Sequence, residues 1–457
     1  MGSKVSIVIT AHNYAKYLPQ SLESALGQNY DDFEVVLVND GSTDHTEEVL
    51  AHYRDNPRLK VLTLDGVGLA SASNRGIEAA TGDYIVRLDA DDWFDENLLL
   101  VEASYLDRHP NVGLVFCDYY TVDVHGEPID RVRRAKVNDE VELLDRPALA
   151  AGAMYRRKCW EAIGGYNEAI RYQEDYDFWI KFIEKFQVRN VSVPLMFYRQ
   201  HGHSMSRNWD ARMQTRRQVK KRFVEENRER FRSRVLAVIP ARSDQLDKRK
   251  LAILPFGKGD LLQHCIDKLR QVELVERVAV STNDHEIAAR AEQYGADFVH
   301  RRSRAMSNPA VPFEQVLFEL LQGMHLDEDY RPDVVVILHP HSPFIAADQV
   351  TEAIDSMLLY ETDSVIGVVE DLSYHWQVGR WGLTPVGYQT RVVKQEKDLI
   401  YKEAGGLYVI RVDQFLRSHD LLGKRIGHIE LSPRDALRIQ SPFDYWVASR
   451  LVEEGAA

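Results

Sequence analysis

Near the N-terminus, short apolar runs that each end in a polar turn constrain the fold more than any other feature of the chain. Val5-Ser6-Ile7-Val8-Ile9-Thr10 ends at Ala11-His12-Asn13-Tyr14, and Phe33-Glu34-Val35-Val36-Leu37-Val38 ends at Asn39-Asp40-Gly41-Ser42. Leu59-Lys60-Val61-Leu62-Thr63 is a third run, and Tyr84-Ile85-Val86-Arg87-Leu88 leads into Asp89-Ala90-Asp91-Asp92. Between them Leu18, Leu22, Ala25 and Leu26 recur at helical spacing, and a Gly- and Ala-rich segment from Gly68 to Ala80 reads as a turn and helix. Asp44, with Glu47 three residues on, can cap the helix after the second run. Alternating strands and helices predict an α/β fold built on a parallel, doubly wound sheet. Open sheets of this kind bind ligands beyond the carboxyl ends of their strands, so His12, Asp40 and Asp89 are expected to face one crevice.

Length and composition narrow the class. The 457 residues suit about three domains or two large α/β ones, and 44% hydrophobic with 28% charged residues is ordinary for a globular chain. A net charge of -13 argues against a general nucleic-acid partner. No run approaches the roughly 18 apolar residues of a membrane span, and no signal peptide is visible. Cys117, Cys159 and Cys265 lie far apart, which suggests neither a disulfide framework nor a zinc site and fits a reducing cytoplasm.

Leu88-Asp89-Ala90-Asp91-Asp92-Trp93 is the segment richest in chemistry. Ionised carboxylates repel one another and lose hydration on burial, so three at a strand end need a cation or solvent. Two Asp flanking one Ala can hold a hard divalent metal through oxygen, and that metal can carry a diphosphate. Alone, the segment reads first as a solvated acidic turn capping a helix near Trp93; its setting at the end of a strand, beside other polar strand ends, reverses that reading.

Residues 206–234 break the alternation. They hold eleven Arg or Lys against four acids, with few apolar residues. A solvated, charged helix linking two domains is expected, with an anionic membrane surface or charged glycan as the alternative partner for its basic face. From Arg234 a new strand–helix alternation begins, so residues 234–457 form their own α/β domain, after a first domain at 1–205 and a linker at 206–233.

In their order, the first-half turns resemble the family-2 glycosyltransferases with the GT-A fold. The resemblance rests on Val5 to Tyr14, Val38 to Asp44, Gly68 to Gly76, Asp89 to Asp92, Gly164-Gly165-Tyr166, Glu174-Asp175 and Tyr198-Arg199-Gln200-His201. It implies nucleotide contacts from Ala11, Asn13, Asp40, Asn74 and Asp89, with Asp40 accepting from the N3–H of a uracil and Asp89 on the ribose side. Ser73 stands where the family often carries Arg. The resemblance also implies Mn²⁺ or Mg²⁺ held by Asp91 and reached by His201, acceptor contact from Asp92, and Asp175 as general base with Glu174 in support. Capping of the following helix is the structural alternative for Glu174 and Asp175. The implied activity is inverting transfer from a nucleotide sugar, UDP-linked by preference, to a glycan or lipid-linked glycan, in the cytoplasm or peripherally at the inner membrane face.

Residues 234–450 resemble the cytidylyltransferases that activate sialic and related keto-sugar acids. The resemblance rests on Ile239-Pro240-Ala241-Arg242, Val280 to Asp284, Leu338-His339-Pro340-His341-Ser342-Pro343, Gly405-Gly406-Leu407-Tyr408 and Ser441 to Asp444. The family's Gly-rich phosphate loop is replaced by Ser243-Asp244-Gln245-Leu246-Asp247-Lys248, and its late Asp-x-Asp pair by Arg438-Ile439-Gln440. A retained fold without cytidylyl transfer is expected, with a homodimer through this half as an implied partner. The alternatives are a bifunctional enzyme that also makes a CMP-sugar, and a scaffold protein inactive in both halves.

Overall fold

The computed structural model describes residues 3–132, 151–201, 209–243, 245–246, 249–308, 310–371, 373–380, 382–386 and 400–454. The chain divides into two compact units, Met1–Val219 and Lys220–Ala457. The expected triphosphate-loop residues Asp244, Asp247 and Lys248, and much of the segment at 118–150, lie outside the described residues.

The first unit runs β1 (Val5–Ala11), α1 (Leu18–Leu26), β2 (Phe33–Asp40), α2 (Thr46–Ala51), β3 (Leu59–Leu64), α3 (Leu69–Ala79), β4 (Tyr84–Asp89), β5 (Trp93–Phe94), α4 (Leu98–Arg108), β6 (Val112–Val122), β7 (Pro128–Val132), β8 (Ala153–Arg156), α5 (Arg157–Ile163), α6 (Glu174–Lys185), β9 (Gln187–Arg199) and the start of α7 (Trp209–Glu226). β1 is buried along its whole length and pairs in parallel with both β2 and β4, while β3 extends the parallel set beyond β2. Both faces of β1 are covered, which is why its sequence is an unbroken apolar and β-branched run. The chain builds β1, β2 and β3 to one side and then returns to place β4 on the other side of β1. The C-terminal ends of β1 and β4 therefore flank a topological switch point, where α/β sheets open a crevice.

Past β4 the sheet is mixed rather than wholly parallel. β8 is antiparallel to both β4 and β6, β6 is parallel to β9, and the two-residue β5 is antiparallel to β9. Antiparallel insertion needs no crossover helix, and a strand as short as Ala153–Arg156 carries no readable alternation. The helices follow their pattern more closely: Leu18, Leu22 and Ala25 of α1 are buried against the sheet.

The second unit continues α7 and adds β10 (Val235–Pro240), the short ladders β11 (Gln245–Leu246) with β12 (Arg249–Lys250) and β13 (Pro255–Phe256) with β14 (Gly259–Asp260), then α8 (Leu261–Leu269), β15 (Val275–Thr282), α9 (His285–Gln293), β16 (Phe298–Arg301), α10 (Phe313–Glu328), β17 (Val334–Leu338), α11 (Ala347–Tyr360), β18 (Ser364–Asp371), the hairpin β19 (Trp376–Gly379) and β20 (Gly382–Pro385), β21 (Ile400–Arg411), α12 (Val412–Ser418), β22 (Ile426–Glu430) and α13 (Pro442–Glu453). Its main sheet has the order β16-β15-β10-β17-β21-β18-β22, and β21 is antiparallel to β17 and β18.

α7 corrects the expectation of a solvated linker. Met213, Arg216, Val219, Lys220, Phe223 and Val224 are all buried, a stripe at three- and four-residue spacing. Two of its cations are spent inside the protein: Arg216 Nε donates to Gln173 Oε1 at 2.7 Å in the first unit, and Lys220 Nζ donates to Glu352 Oε1 at 3.0 Å in the second. Among the described residues no helix is long and apolar enough to cross a membrane.

Candidate active site

The turn after β4 sends its acids in different directions. Asp89 closes β4, and Asp92 N donates back to Asp89 O at 3.1 Å, which tightens the turn. Asp91 Oδ2 lies 2.7 Å from His201 Nε2. His201 follows β9 and is held between Tyr17, stacked at 5.4 Å, and Tyr14, edge-on at 5.9 Å. The structure therefore joins two residues, expected as metal ligands, that lie far apart in sequence.

Asp92 departs from the acceptor-side role. It is 1% exposed, and its Oδ1 accepts from Arg199 N at 2.8 Å, so it points beneath the turn, where an acceptor cannot touch it. Burial and the neighbouring charges of Asp91 and Asp89 push its carboxyl well above the usual range. Arg199 completes this underside: its Nε donates to Asp91 O at 2.9 Å, its Nη2 donates to Gln20 Oε1, and its guanidinium lies 4.7 Å from the rings of both Tyr17 and Trp93. Sequence reasoning quoted Arg199 without giving it a role.

The Asp89 side chain is 32% exposed, although its Oδ1 is buried. Burial raises its carboxyl pKa, and the charges of Asp91 and Asp175 add to the shift while Arg87 opposes it. Asp89 therefore feels the charges of both Asp91 and Asp175. Asp175 is partly exposed in the first turn of α6, and its Oδ1 accepts from Tyr176 N at 2.9 Å. Glu174, its neighbour, is 5% exposed and accepts from Arg87 Nη1 at 3.0 Å. Burial pushes Glu174 up to about 7 against the pull of Arg87. The turn before α6 is held by Gln173, left-handed at φ 59°, which accepts from Arg216.

The nucleotide-side residues form a second group. Ala11 ends β1, buried and in register with Asn39. Asn13, at φ 62°, accepts through Oδ1 from Thr43 N at 2.7 Å and Asp44 N at 3.2 Å, which latches the β1 and β2 turns together. Asp40 is buried and accepts from Val67 N at 2.7 Å and Gly68 N at 2.8 Å, one hydrogen bond on each oxygen. A carboxylate has about four lone-pair sites, so acceptor capacity remains. Asn74 is corrected: its Nδ2 donates to Tyr166 O at 2.9 Å and Glu168 Oε1 at 3.0 Å, and its Oδ1 accepts from Tyr166 N at 3.0 Å. With both amide hydrogens spent on the protein, Asn74 clasps α3 to the segment after α5 and has no donor left for a base or ribose. Gly165 fits this clasp: it sits at φ +69°, and a Cβ there would lie 2.9 Å from Asn74 Oδ1.

In the second unit the turn after β17 carries histidines, and an arginine lies beside it. His339 and His341 follow β17 with ring centroids 4.7 Å apart, and Ile439 N donates to His341 O at 2.8 Å, which fixes the neighbouring Arg438. His341 Nε2, Ser342 Oγ and Arg438 Nε are buried without hydrogen-bond partners. Burial, then the Arg438 cation, push His341 down to about 4, and His339 falls to about 3.

Residues 6–164 match the family described as glycosyl transferase family 2. The first unit carries a family-2 glycosyl transferase domain. Residues 236–373 match the cytidylyltransferase family, so the second unit carries that domain. The chain is 30% identical to the chondroitin synthase of Pasteurella multocida (strain Pm70) over 275 residues, 60% of this chain and 28% of that protein. It is 25% identical to the hyaluronan synthase of Pasteurella multocida over 373 residues, 81% of this chain and 37% of that protein. With the chondroitin synthase of Escherichia coli it shares 29% identity over 203 residues, 44% of this chain and 30% of that protein. The chain thus spans roughly a third of the length of these curated relatives. Likeness to solved structures is weak: S. aureus TarS 1–349 with UDP-GlcNAc aligns at 21% identity over 50% of this chain and 70% of that one, with a TM-score of 0.42, and no substrate is carried across from it.

Proposed function

We propose that the protein is a metal-dependent, inverting glycosyltransferase that moves a sugar from a nucleotide donor, UDP-linked by preference, to a hydroxyl of a glycan or lipid-linked glycan. The observation that carries this is the Asp91–His201 pair at 2.7 Å in the turn after β4, whose Asp89 feels the charge of the partly exposed Asp175. A carboxylate oxygen with an imidazole nitrogen is a donor set that suits Mn²⁺ or Mg²⁺. Among the described residues no group of three or more His, Cys, Asp or Glu gathers as a metal site, so diphosphate oxygens of the donor would complete the shell. The cation supplies charge compensation as the nucleoside diphosphate departs.

The chain's own residues do the rest. Asp40 accepts from the N3–H of a uracil with its spare acceptor capacity, and Asp89 takes the ribose side. Asp175 holds the acceptor hydroxyl and receives its proton as the oxygen attacks the anomeric carbon on the face away from the leaving group. Glu174 stays below the surface and supports the turn. The cytidylyltransferase domain is proposed to have kept its fold and lost its reaction: Arg438 and Gln440 stand where acids for a metal are expected, and a guanidinium at that place repels a divalent cation. We place the protein in the cytoplasm, with peripheral membrane contact through the exposed cations of α7 and a homodimer through the second domain as further partners.

Incubation of the full chain with UDP-, GDP-, dTDP- and CMP-sugars and Mn²⁺ tests the reading. Nucleotide release from one donor, together with thermal stabilisation by that nucleotide only when Mn²⁺ is present, is expected. No release and no stabilisation with any donor would favour a scaffold.

A further inference from the structure

Arg87 interrupts the apolar run of β4. Strand alternation sends Tyr84, Val86 and Leu88 into one core and puts Arg87 on the face of Ile85, toward α6. The Arg87 side chain is 3% exposed. Its Nη1 donates to Glu174 Oε1 at 3.0 Å, and the Tyr166 ring covers its guanidinium at 5.3 Å. Its Nε stands 3.5 Å from Asp89 Oδ1, and both of those atoms are buried without a hydrogen-bond partner among the described residues. One guanidinium thus holds the α6 side firmly and faces the β4 end across a gap about 0.5 Å too long for a hydrogen bond.

Stability alone does not account for this arrangement. A buried ion pair loses hydration, and well-packed apolar residues of the same volume are often as stable or more so. The position is also unfavourable for a cation, because the partial positive charge of a helix N-terminus lies beside it. Glu174 offsets that charge only because it turns inward, away from the surface where Asp175 remains.

We propose that Arg87 is a positioning residue that couples the donor-side carboxylate Asp89 to the first turn of α6 and so sets where Asp175 meets the acceptor hydroxyl. The inference rests on the sugar-transfer reading above. The planar guanidinium presents its donors in a fixed fork, hydrogen-bonded to Glu174 and ion-paired with Asp89 at 3.5 Å, so the charge of Asp89 bears on the turn in which Asp175 is the next residue. Gln173, gripped by Arg216, fixes the same turn from the other side. Donor and base are thereby held in one geometry although they lie on β4 and α6.

The test uses the full chain with Arg87→Met, Arg87→Lys, Glu174→Met and the double variant Arg87→Met/Glu174→Met. Misplacing a reacting group by about 1 Å costs about 100-fold, so Arg87→Met is expected to lower kcat by that order. UDP affinity with Mn²⁺ is expected to stay within about threefold, and Arg87→Lys to regain about tenfold of kcat through one of the two contacts. Because Arg87→Met strands a buried Glu174, the double variant is the control for folding: it removes both charges and is expected to melt near the wild type. If the two residues form one link, both single variants and the double lose kcat to a similar extent rather than additively. A double variant with wild-type melting and kcat within about threefold of wild type would overturn the role, as would kcat and UDP affinity falling in parallel. A wild type that neither binds UDP with Mn²⁺ nor releases it from any donor sinks the transferase reading, and this role with it. An active wild type with unaffected Arg87 variants sinks the role alone.

Discussion

Asp91 and Asp92 are adjacent carboxylates with opposite fates. Asp91 faces His201, while Asp92 is buried against the backbone of Arg199. Asp91→Asn is expected to abolish Mn²⁺-dependent stabilisation by UDP, read as a lost thermal shift. Asp92→Asn keeps an acceptor for Arg199 N at a site where burial already disfavours the charged carboxylate, so UDP binding should survive it. Asp175→Asn is expected to lower transfer by at least about 100-fold, the scale of general-base catalysis, while the UDP thermal shift remains. Equal loss of both would make Asp175 structural. Asp40 and Asp89 were legible as strand ends, because each closes a long apolar run, and Asp175 as a residue of the first turn of a helix. The inward turn of Asp92 was not legible, since a backbone bond within the turn decides it. Nor was Arg87, since an arginine inside a strand does not reveal which face its neighbours leave for it. In the second unit the signs of the shifts give a pH prediction. Unfolded His341 takes up a proton near pH 6.5, whereas in the fold it does so only near 4. Stability from this group is therefore complete above pH 6.5 and falls as pH drops toward 4, by about 3 kcal/mol for His341 alone. His341→Gln should flatten this acid limb in thermal unfolding between pH 7 and 4; an unchanged limb would assign the acid loss to other groups.

At the scale of elements, α7 shows how charge count misleads. Its sequence is dominated by Arg and Lys, yet its stripe from Met213 through Arg216 and Lys220 to Phe223 is buried. The spacing of that stripe was present in the sequence, but two of its positions are charged, and a cation counts as surface until its buried partner is known. Lys220 is fully buried and donates to Glu352 and, at 3.1 Å, to Ser356 Oγ of α11. Burial already pushes the nearby Asp355 up to about 7, with Lys220 opposing. Lys220→Met is expected to cost about 3–5 kcal/mol, read from the midpoint of chemical unfolding, and Lys220→Met/Glu352→Leu to recover most of it. An unchanged midpoint in the single variant would mean that solvent reaches the pair. The parallel strands β1, β2 and β4 were legible because each is buried almost throughout and runs long enough to display it, and the edge strand β3 because its apolar Leu59, Val61, Leu62 and Leu64 interrupt exposed Lys60 and Thr63. β8 and β5 were not, because four and two residues cannot carry a period and their places are set by neighbours distant in sequence.

At the scale of the whole molecule, a family-2 glycosyl transferase domain is followed by a cytidylyltransferase domain. Full-length protein given CTP, Mg²⁺ and a panel of keto-sugar acids is expected to release no pyrophosphate above background; release would restore the bifunctional reading. Because the chain spans about a third of the length of its synthase relatives, their products remain proposals for it. The partnership of Asp91 with His201 also has a consequence in time. The two residues are 110 positions apart, so a chain emerging from the ribosome presents only half of the pair until the end of β9 has cleared the exit tunnel. Under the proposed metal-dependent transfer, capture of a sugar nucleotide becomes possible only once nearly all of the first unit has been synthesised, and a nascent chain arrested before His201 should be blind to UDP with Mn²⁺.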